Sequence, residues 1–215
     1  MDIQATRDKV LLAALPHVPF DGWTRGALRR GVADAGLTPD MARRAFPGGM
    51  TEVAAHFSDY ADRRMLEELE LEKRDLPGLR VRDRIATAVR VRLEQNAPHR
   101  EAVRRLLSFL ALPFNAGLAA RCTWRTVSAM WYAAGDEATD FNFYTKRALL
   151  TPVYTTTVLY WLADDSEGFA DTWGFLDRRI GDIMRIPGLT GRLRKALSAC
   201  PSPVAAFRAA AQRRE

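Results

Sequence analysis

Acidic and histidine side chains are the groups in this sequence that could hold a metal ion or transfer a proton. The 215-residue chain has 26 acidic residues but only three histidines, His17, His56 and His99. Carboxylate metal sites in helical bundles need Glu-x-x-His pairs on facing helices, and no glutamate lies three residues before any of these histidines. No nucleophile–base pair and no glycine-rich phosphate loop stands out either. The sequence therefore predicts no metal site, no cofactor and no enzymatic activity.

The segment MWYAAGDEATDFNFYTKRALL, residues 130–150, mixes a dense group of aromatic side chains with acids. Aromatic side chains suit a core, whereas free carboxylates belong in water. Gly135 is placed to end one helix, and Asp140 is placed to cap the next. Three aromatics are too closely spaced to share one helical face: Phe141, Phe143 and Tyr144. We interpret the segment as half core and half exposed contact surface, with a wholly structural role as the alternative.

The elements that must position these side chains are helices. Apolar residues recur at spacings of three and four along most of the chain, which predicts an all-α fold. The apolar stripes are more numerous than one helix pair needs, so they favour a tunnel for a long apolar ligand. A well-filled bundle core explains them equally well. The residues predicted to bind a lipid are Leu106, Leu110, Leu118, Val127, Met130, Trp131, Leu149 and Val153.

The first sixty residues have the pattern of a small DNA-binding unit. Three short helices, near residues 6–15, 23–35 and 39–46, precede a long fourth helix, and a tight turn at Gly36 makes a helix-turn-helix. A DNA-binding headpiece normally has a basic excess, because it neutralises phosphates. Residues 1–59 instead carry seven basic and seven acidic side chains. The balance of charge predicts that DNA is not a partner.

The excess of basic charge lies at the C-terminal end of the chain. From Arg185 to Glu215 there are seven basic residues and one acid. The net charge of this tail is therefore +6, the same as the net charge of the whole chain. Its apolar residues share one helical face opposite most of the basic ones, a pattern typical of helices that lie on anionic membranes. A disordered tail or a helix packed on the body is the alternative. The residues predicted to contact the membrane are Leu189, Arg192, Leu193, Arg194, Lys195 and Leu197.

Cysteine content and hydropathy indicate the cellular compartment of the chain. Cys122 and Cys200 form no CxxC pair, so both are expected to be reduced thiols in a cytosol-like compartment. No run of about 18 uncharged apolar residues occurs, so no membrane-spanning segment is expected. The N-terminus carries acids before its apolar stretch and has no cleavage-like site, which is unlike a signal peptide.

Three segments carry a family resemblance: residues 130–150, DTWGFLDRRIGDIM (171–184) and DGWTRGALRRGVADAGL (21–37). Together, and in the order in which they occur along the chain, they closely resemble the accessory lipid-binding proteins of ubiquinone (coenzyme Q) biosynthesis. The resemblance implies a tetracycline-repressor-like fold, a homodimer, and binding of an isoprenoid quinone precursor or a phospholipid. It also implies assistance to the di-iron hydroxylase of that pathway. The implied partner-contact residues are Met130, Asp140, Phe143, Tyr144, Lys146 and Arg147.

Three features depart from the pattern of that family. Phe143 stands where the mitochondrial relatives have a different aromatic residue, which should preserve an apolar contact. Pro152 lies inside a helical pattern, so it should kink the helix or mark a late start for it. A mitochondrial targeting segment is missing, which fits a bacterial member. We therefore expect a cytoplasmic protein held peripherally at the inner face of a bacterial cytoplasmic membrane.

These observations predict three parts: a helix-turn-helix subdomain (1–50), a helical lipid-binding and dimerisation domain (51–186), and a basic amphipathic tail (187–215). The expected function is to bind apolar isoprenoid intermediates at the membrane and present them to a partner hydroxylase. The alternative is a tetracycline-repressor-type transcriptional regulator that senses an apolar ligand.

Overall fold

The computed structural model describes residues 3–71, 78–136 and 141–184. Within these ranges every regular element is a helix, which confirms the predicted all-α class. The α-helices described are α1 (Ile3–Ala14), α2 (Val18–Asp21), α3 (Arg25–Asp34), α4 (Pro39–Ala45), α5 (Met50–Leu71), α6 (Val81–Gln95), α7 (Arg100–Leu110), α8 (Ala116–Ala133), α9 (Phe141–Ala163) and α10 (Ala170–Met184).

The N-terminal subdomain packs α1 against α3 and α4. Gly31 on α3 allows this close approach, since a Cβ at that position would lie 2.5 Å from the Cα of Ala14 on α1. The turn after α3 contains Gly36 with a φ of +66°, a left-handed conformation that glycine adopts readily. The amides of Gly36 and Leu37 donate back to α3, and the Thr38 side chain caps α4. The predicted helix-turn-helix is confirmed.

The larger body is a bundle in which α8 packs against α5, α6 and α9, while α10 packs on α9. Fully buried side chains from several helices meet around α8, among them Met65, Leu93, Met130 and Trp161. Most of the predicted apolar stripes face this core. Val81, at the first position of α6, is an exception with 47% exposure. The stripe predicted on α9 is wrong in part, because Ala148, Thr156 and Tyr160 are exposed and only Val153 of that stripe is buried.

The connection after α8 matches its sequence signals. Gly135 has a φ of +83°, and the amides of Gly135 and Asp136 donate to the carbonyls of Tyr132 and Trp131, which closes α8 as predicted. The late start considered for the next helix is wrong, because α9 begins at Phe141 and runs through Pro152.

Within the described ranges, no single helix has the length and apolar composition that a membrane crossing requires. The segments Ala97–Leu110 and Pro113–Ala133 meet that requirement only when they are taken together, across a bend of 99°.

Candidate functional site

A cavity of about 440 Å³ lies between α5, α6, α7, α8 and α9. This volume is within the range of about 300–1,000 Å³ that is usual for small-molecule sites. One wall is apolar, and its side chains come mainly from α7 and α9: Val103, Leu106, Leu107, Leu110, Val158 and Leu159. Leu159 is 59% exposed, so this wall reaches the protein surface and forms the mouth of the cavity.

A second wall of the cavity is polar and is organised by Arg92 on α6. Its Nε donates to Asp62 Oδ1 at 2.9 Å, and one of its terminal nitrogens donates to the Tyr154 hydroxyl at 2.8 Å. The Thr126 hydroxyl donates to the same Asp62 oxygen at 2.8 Å, and Arg125 Nε donates to the other oxygen at 3.2 Å. A charged pair is stable in an interior only when its remaining hydrogen-bonding positions are occupied. In the Asp62–Arg92 pair, Thr126, Arg125 and Tyr154 occupy those positions.

The ionisation of this wall follows from its burial and its charges. Burial disfavours the charged form of Arg92, but the electrostatic influence of Tyr154 and Asp62 outweighs it and raises the pKa of Arg92. Burial raises the pKa of the Tyr154 hydroxyl, and burial likewise raises the pKa of the Cys122 thiol, which also lines the cavity. At neutral pH the wall therefore presents a paired guanidinium, a neutral phenol and a neutral thiol.

Trp161 on α9 is a fully buried residue of the cavity lining. It is 0% exposed, and its indole N–H, which is itself buried, has no acceptor among the described residues. A buried donor without an acceptor costs about 1–3 kcal/mol.

The predicted lipid-binding residues are divided by the structure. Leu106 and Leu110 line the cavity. The other six are not among its described lining residues. Leu149 is partly buried on α9, and five pack in the core or at its edge: Leu118, Val127, Met130, Trp131 and Val153. The reason is that each helix of a bundle has several buried stripes, and sequence periodicity does not tell which stripe faces a gap.

A second candidate site is an aromatic surface, formed by Trp124 on α8 and by Phe143 and Tyr144 on α9. The ring centroids of Trp124 and Tyr144 are 6.2 Å apart, and those of Phe143 and Tyr144 are 5.2 Å apart. Trp124 is 38% exposed and Tyr144 is 61% exposed. The prediction that some of the closely spaced aromatics point away from the core is confirmed by Tyr144. Exposed aromatic rings of this kind are typical of protein contact surfaces.

A buried ion pair holds this surface in place. The Asp136 carboxylate accepts from Lys146 Nζ at 2.6 Å and from an Arg147 guanidinium nitrogen at 3.2 Å. The side chains of Asp136 and Arg147 are only 3% and 4% exposed. The Arg147 guanidinium also lies 3.3 Å from the centre of the Phe143 ring, so it supports that ring from the inside.

Two of the predicted partner-contact residues therefore need correction. Arg147 is buried beneath the aromatic surface, and Met130 is fully buried, so neither side chain offers area to a partner in this structure. Lys146 is partly exposed beside Asp136. Asp140 lies outside the described residues.

Several side chains of these sites were not predicted from sequence: Asp62, Arg92, Trp124 and Tyr154. A signal for two of them exists. Arg92 is spaced three and seven residues from Val89 and Ile85, and Asp62 is spaced three and seven from Met65 and Leu69, so each charge falls on an apolar helical face. A lone charge on such a face indicates a buried pair, although it does not identify the partner.

The remaining predictions concern membrane contact and metal binding. The predicted membrane-contacting residues, from Leu189 to Leu197, lie outside them. Over the described ranges, no group of histidine, cysteine, aspartate and glutamate side chains has the arrangement of a metal site.

Comparison with solved structures defines the class of fold. A TetR transcriptional regulator from Nitrosomonas europaea superposes with a TM-score of 0.68, covering 84% of this chain and 98% of the regulator at 24% identity. The chain is thus an all-α protein with the tetracycline-repressor fold, as predicted. At this identity the likeness concerns the fold alone.

Sequence comparison gives the family. The COQ9 family profile matches residues 116–187, which include α8, α9 and α10. The human ubiquinone biosynthesis protein COQ9 is 36% identical over 183 residues, 83% of this chain and 57% of the human protein. The Drosophila melanogaster COQ9 is 34% identical over 187 residues, 86% of this chain and 57% of that protein. This chain belongs to the COQ9 family, and it spans 57% of the length of these relatives.

The same comparison corrects the expected location. The relatives from human, rat, cattle, fruit fly and Dictyostelium discoideum are all mitochondrial proteins, so the expected bacterial cytoplasmic membrane is wrong. That expectation depended on a missing targeting segment. The start of a chain that spans 57% of its human relative says nothing about what precedes it.

Proposed function

We propose that this chain is a non-catalytic accessory protein of ubiquinone biosynthesis that binds an isoprenoid intermediate and presents it to the di-iron hydroxylase of the pathway. The supporting observation is the 440 Å³ cavity between α5 and α9, with one apolar and one polar wall. The relatives from human and rat carry ubiquinone biosynthesis in their names, which supports the pathway.

The two walls suit the two ends of an isoprenoid quinone precursor. An apolar chain would lie along Leu106, Leu107 and Leu110, while a ring bearing oxygen atoms would face the polar side. A phospholipid shares the apolar chain, so it is the second ligand to look for.

Native mass spectrometry of the purified full chain tests this proposal. We expect a co-purified apolar molecule with the mass of an isoprenoid quinone precursor or a phospholipid. Replacing Leu110 by tryptophan fills part of the cavity and should lower occupancy about tenfold. The matched control is Leu149→Trp, at a partly buried leucine that is not among the described lining residues. A chain that carries no ligand, or equal loss in both variants, would contradict the proposal.

The aromatic surface is the proposed hydroxylase contact. Tyr144 is exposed and packs on Phe143, which the Arg147 guanidinium supports from the inside. The Tyr144 ring is therefore already ordered, and binding a partner costs little further side-chain entropy. Tyr144→Ala should leave the unfolding curve unchanged and abolish pull-down of the hydroxylase. Tyr132→Ala, at a residue that is 75% exposed and outside the aromatic surface, serves as the control. Normal pull-down by Tyr144→Ala would remove this surface from the proposal.

Homodimerisation and membrane contact by the C-terminal tail complete the proposal. Light scattering should give the mass of two chains. Replacing Arg192, Arg194 and Lys195 by glutamate should weaken binding to anionic vesicles, because each basic residue near such a surface contributes about 1 kcal/mol. Unchanged binding would assign the membrane contact elsewhere.

A further inference from the structure

The turn between α7 and α8 lies in a segment without ionisable side chains. From Leu106 to Ala120 the sequence is LLSFLALPFNAGLAA, fifteen residues that include no Asp, Glu, Lys, Arg or His. Charged residues make up 27% of the whole chain, so an uncharged stretch of this length at a surface turn is unexpected.

The tip of this turn exposes large apolar side chains. Leu112 is 40% exposed and Phe114 is 79% exposed, with Pro113 between them. We call Leu112, Pro113 and Phe114 the apolar tip. Burying such side chains away from water is favourable by about 25 cal/mol per Å², so the tip gains free energy if something apolar covers it.

Hydrogen bonds inside the turn hold the apolar tip outward. The buried Asn115 side chain donates to the Phe109 carbonyl at 2.8 Å, and the Asn115 amide donates to the Leu112 carbonyl at 2.8 Å. The Ala111 amide donates to the Leu107 carbonyl at 2.9 Å. Backbone groups that are already paired can enter an apolar medium at little cost. The exposure of the tip is therefore a built feature of the turn.

Basic residues lie on both helices that flank the apolar tip, although Arg104 also donates to the Leu162 carbonyl of α9. Arg104 and Arg105 on α7 and Arg121 on α8 are exposed, and the sequence has no acid between Ala102 and Gly135. Glu101, which precedes this stretch, pairs with both Arg104 and Arg105 and leaves a net positive collar. An apolar tip with a basic collar matches an interface that is apolar inside and anionic at its surface, which is the description of an anionic membrane.

The apolar tip is continuous with the mouth of the cavity. Leu107, Leu110 and Ala111 line the cavity, and Ala111 directly precedes Leu112. A membrane that covered the tip would therefore also lie against the mouth. This places the cavity within reach of lipid without a path through water.

We propose that the apolar tip Leu112–Phe114 inserts into an anionic membrane surface, with Arg104, Arg105 and Arg121 at the headgroups, and sets the mouth of the cavity against the lipid. This contact is separate from the C-terminal tail. It rests on the exposure and charge of the turn and holds whether or not the ligand is a ubiquinone intermediate.

The test is partitioning of the full chain onto vesicles of equal parts phosphatidylcholine and phosphatidylglycerol, measured by flotation. The double variant Leu112→Asp with Phe114→Asp should bind about tenfold more weakly than the unmodified chain. The matched control is Leu79→Asp with Val81→Asp, which are 40% and 47% exposed. They lie beside the other end of α8, because Arg84 donates to the carbonyls of both Leu79 and Ala134. This end is about 27 Å from the tip.

Further arms separate insertion from charge and from misfolding. On phosphatidylcholine vesicles alone, the tip variant should still bind more weakly than the control, since charge repulsion is absent there. Phe114→Asp alone changes a side chain that is 79% exposed and should weaken binding with an unchanged unfolding curve. Leu112→Met with Phe114→Leu should keep binding within about twofold. Equal partitioning of the tip variant and the control would overturn the proposal, and would leave a protein partner as the occupant of the tip.

Discussion

The N-terminal subdomain and the helical body use charged residues in opposite ways. In the subdomain, Asp40 and Arg43 of α4 pair at the surface with side chains 73% and 78% exposed. In the body, Asp62 and Arg92 pair in the interior with side chains 6% and 10% exposed. The first arrangement offsets one of the two exposed arginines of α4 at the surface, while the second supports the polar part of a cavity lining. The same type of pair therefore stays in solvent in one region and is buried beside a cavity in the other.

The largest expected effect comes from breaking the buried pair of the body. Arg92→Ala leaves the Asp62 carboxylate without its principal partner, and removing one member of a buried pair costs about 3–5 kcal/mol. We expect the lower end of that range, because Arg125 and Thr126 still bind Asp62. Urea denaturation measures the change. The matched variant in the subdomain, Arg43→Ala, should cost about 0–1 kcal/mol. Equal costs would mean that the two pairs do not differ as described.

The next effect tests the close helix contact of the subdomain. Gly31→Ala places a Cβ 2.5 Å from the Cα and 2.6 Å from the amide nitrogen of Ala14, so α1 and α3 must separate. Overpacking of this kind costs about 1–3 kcal/mol. Gly26→Ala in the same helix is the control, since its Cβ would meet only the Thr24 hydroxyl at 3.4 Å. The control should be neutral or slightly stabilising in thermal unfolding, and a similar loss in both would exclude the contact as the cause.

A smaller and pH-dependent effect is expected at Asp164, a buried acid of the body. Its carboxylate accepts from the amides of Ser166 and Thr172 at 2.8 and 2.9 Å. Burial alone would raise the pKa of Asp164, but the hydrogen bonds from Ser166 and Thr172 outweigh it and lower the pKa from 3.8 to about 2. Because the folded state holds the proton less tightly than the unfolded chain, this stabilisation is complete above pH 3.8 and is lost as the pH falls toward about 2.

Asp164→Ala should therefore cost about 1–2 kcal/mol at neutral pH, as expected for a lost helix cap. The difference from the unmodified chain should shrink below pH 3.8. Asp165→Ala, at a side chain that is 96% exposed, is the control and should show no such dependence. A constant difference across the acid range would mean that the carboxylate charge is not the source.

The smallest effect is expected in a measurement of DNA binding. Because Arg43 is paired with Asp40, the subdomain should give no sequence-specific gel shift with flanking genomic DNA at physiological salt. Asp40→Ala would release Arg43 and should add only weak binding that does not depend on sequence. A tight and specific shift by the unmodified chain would instead favour the transcriptional regulator, and would reverse the comparison between the two regions.

Much of the fold could be predicted from local signals. Periodic apolar residues gave the helices, Gly36 gave the turn of the helix-turn-helix, and Gly135 gave the end of α8, because each signal acts within one or two helical turns. The candidate sites were predicted less well. Leu106 and Leu110, two of the eight residues predicted to bind a lipid, lie at the cavity. Met130, predicted both to bind the lipid and to contact a partner, and Arg147, predicted to contact a partner, lie inside.

By itself, the sequence determined the all-α class, the order of the helices and the likeness to the COQ9 family, since periodicity, turn residues and family motifs are all local along the chain. The tertiary structure alone decided which apolar stripes face the cavity and which charges find partners inside. Arg92 is 30 residues from Asp62 and 62 residues from Tyr154 in sequence. The three side chains meet only when α5, α6 and α9 pack together. Burial depends on such distant neighbours, so the chemistry of this interior is a property of the assembled bundle.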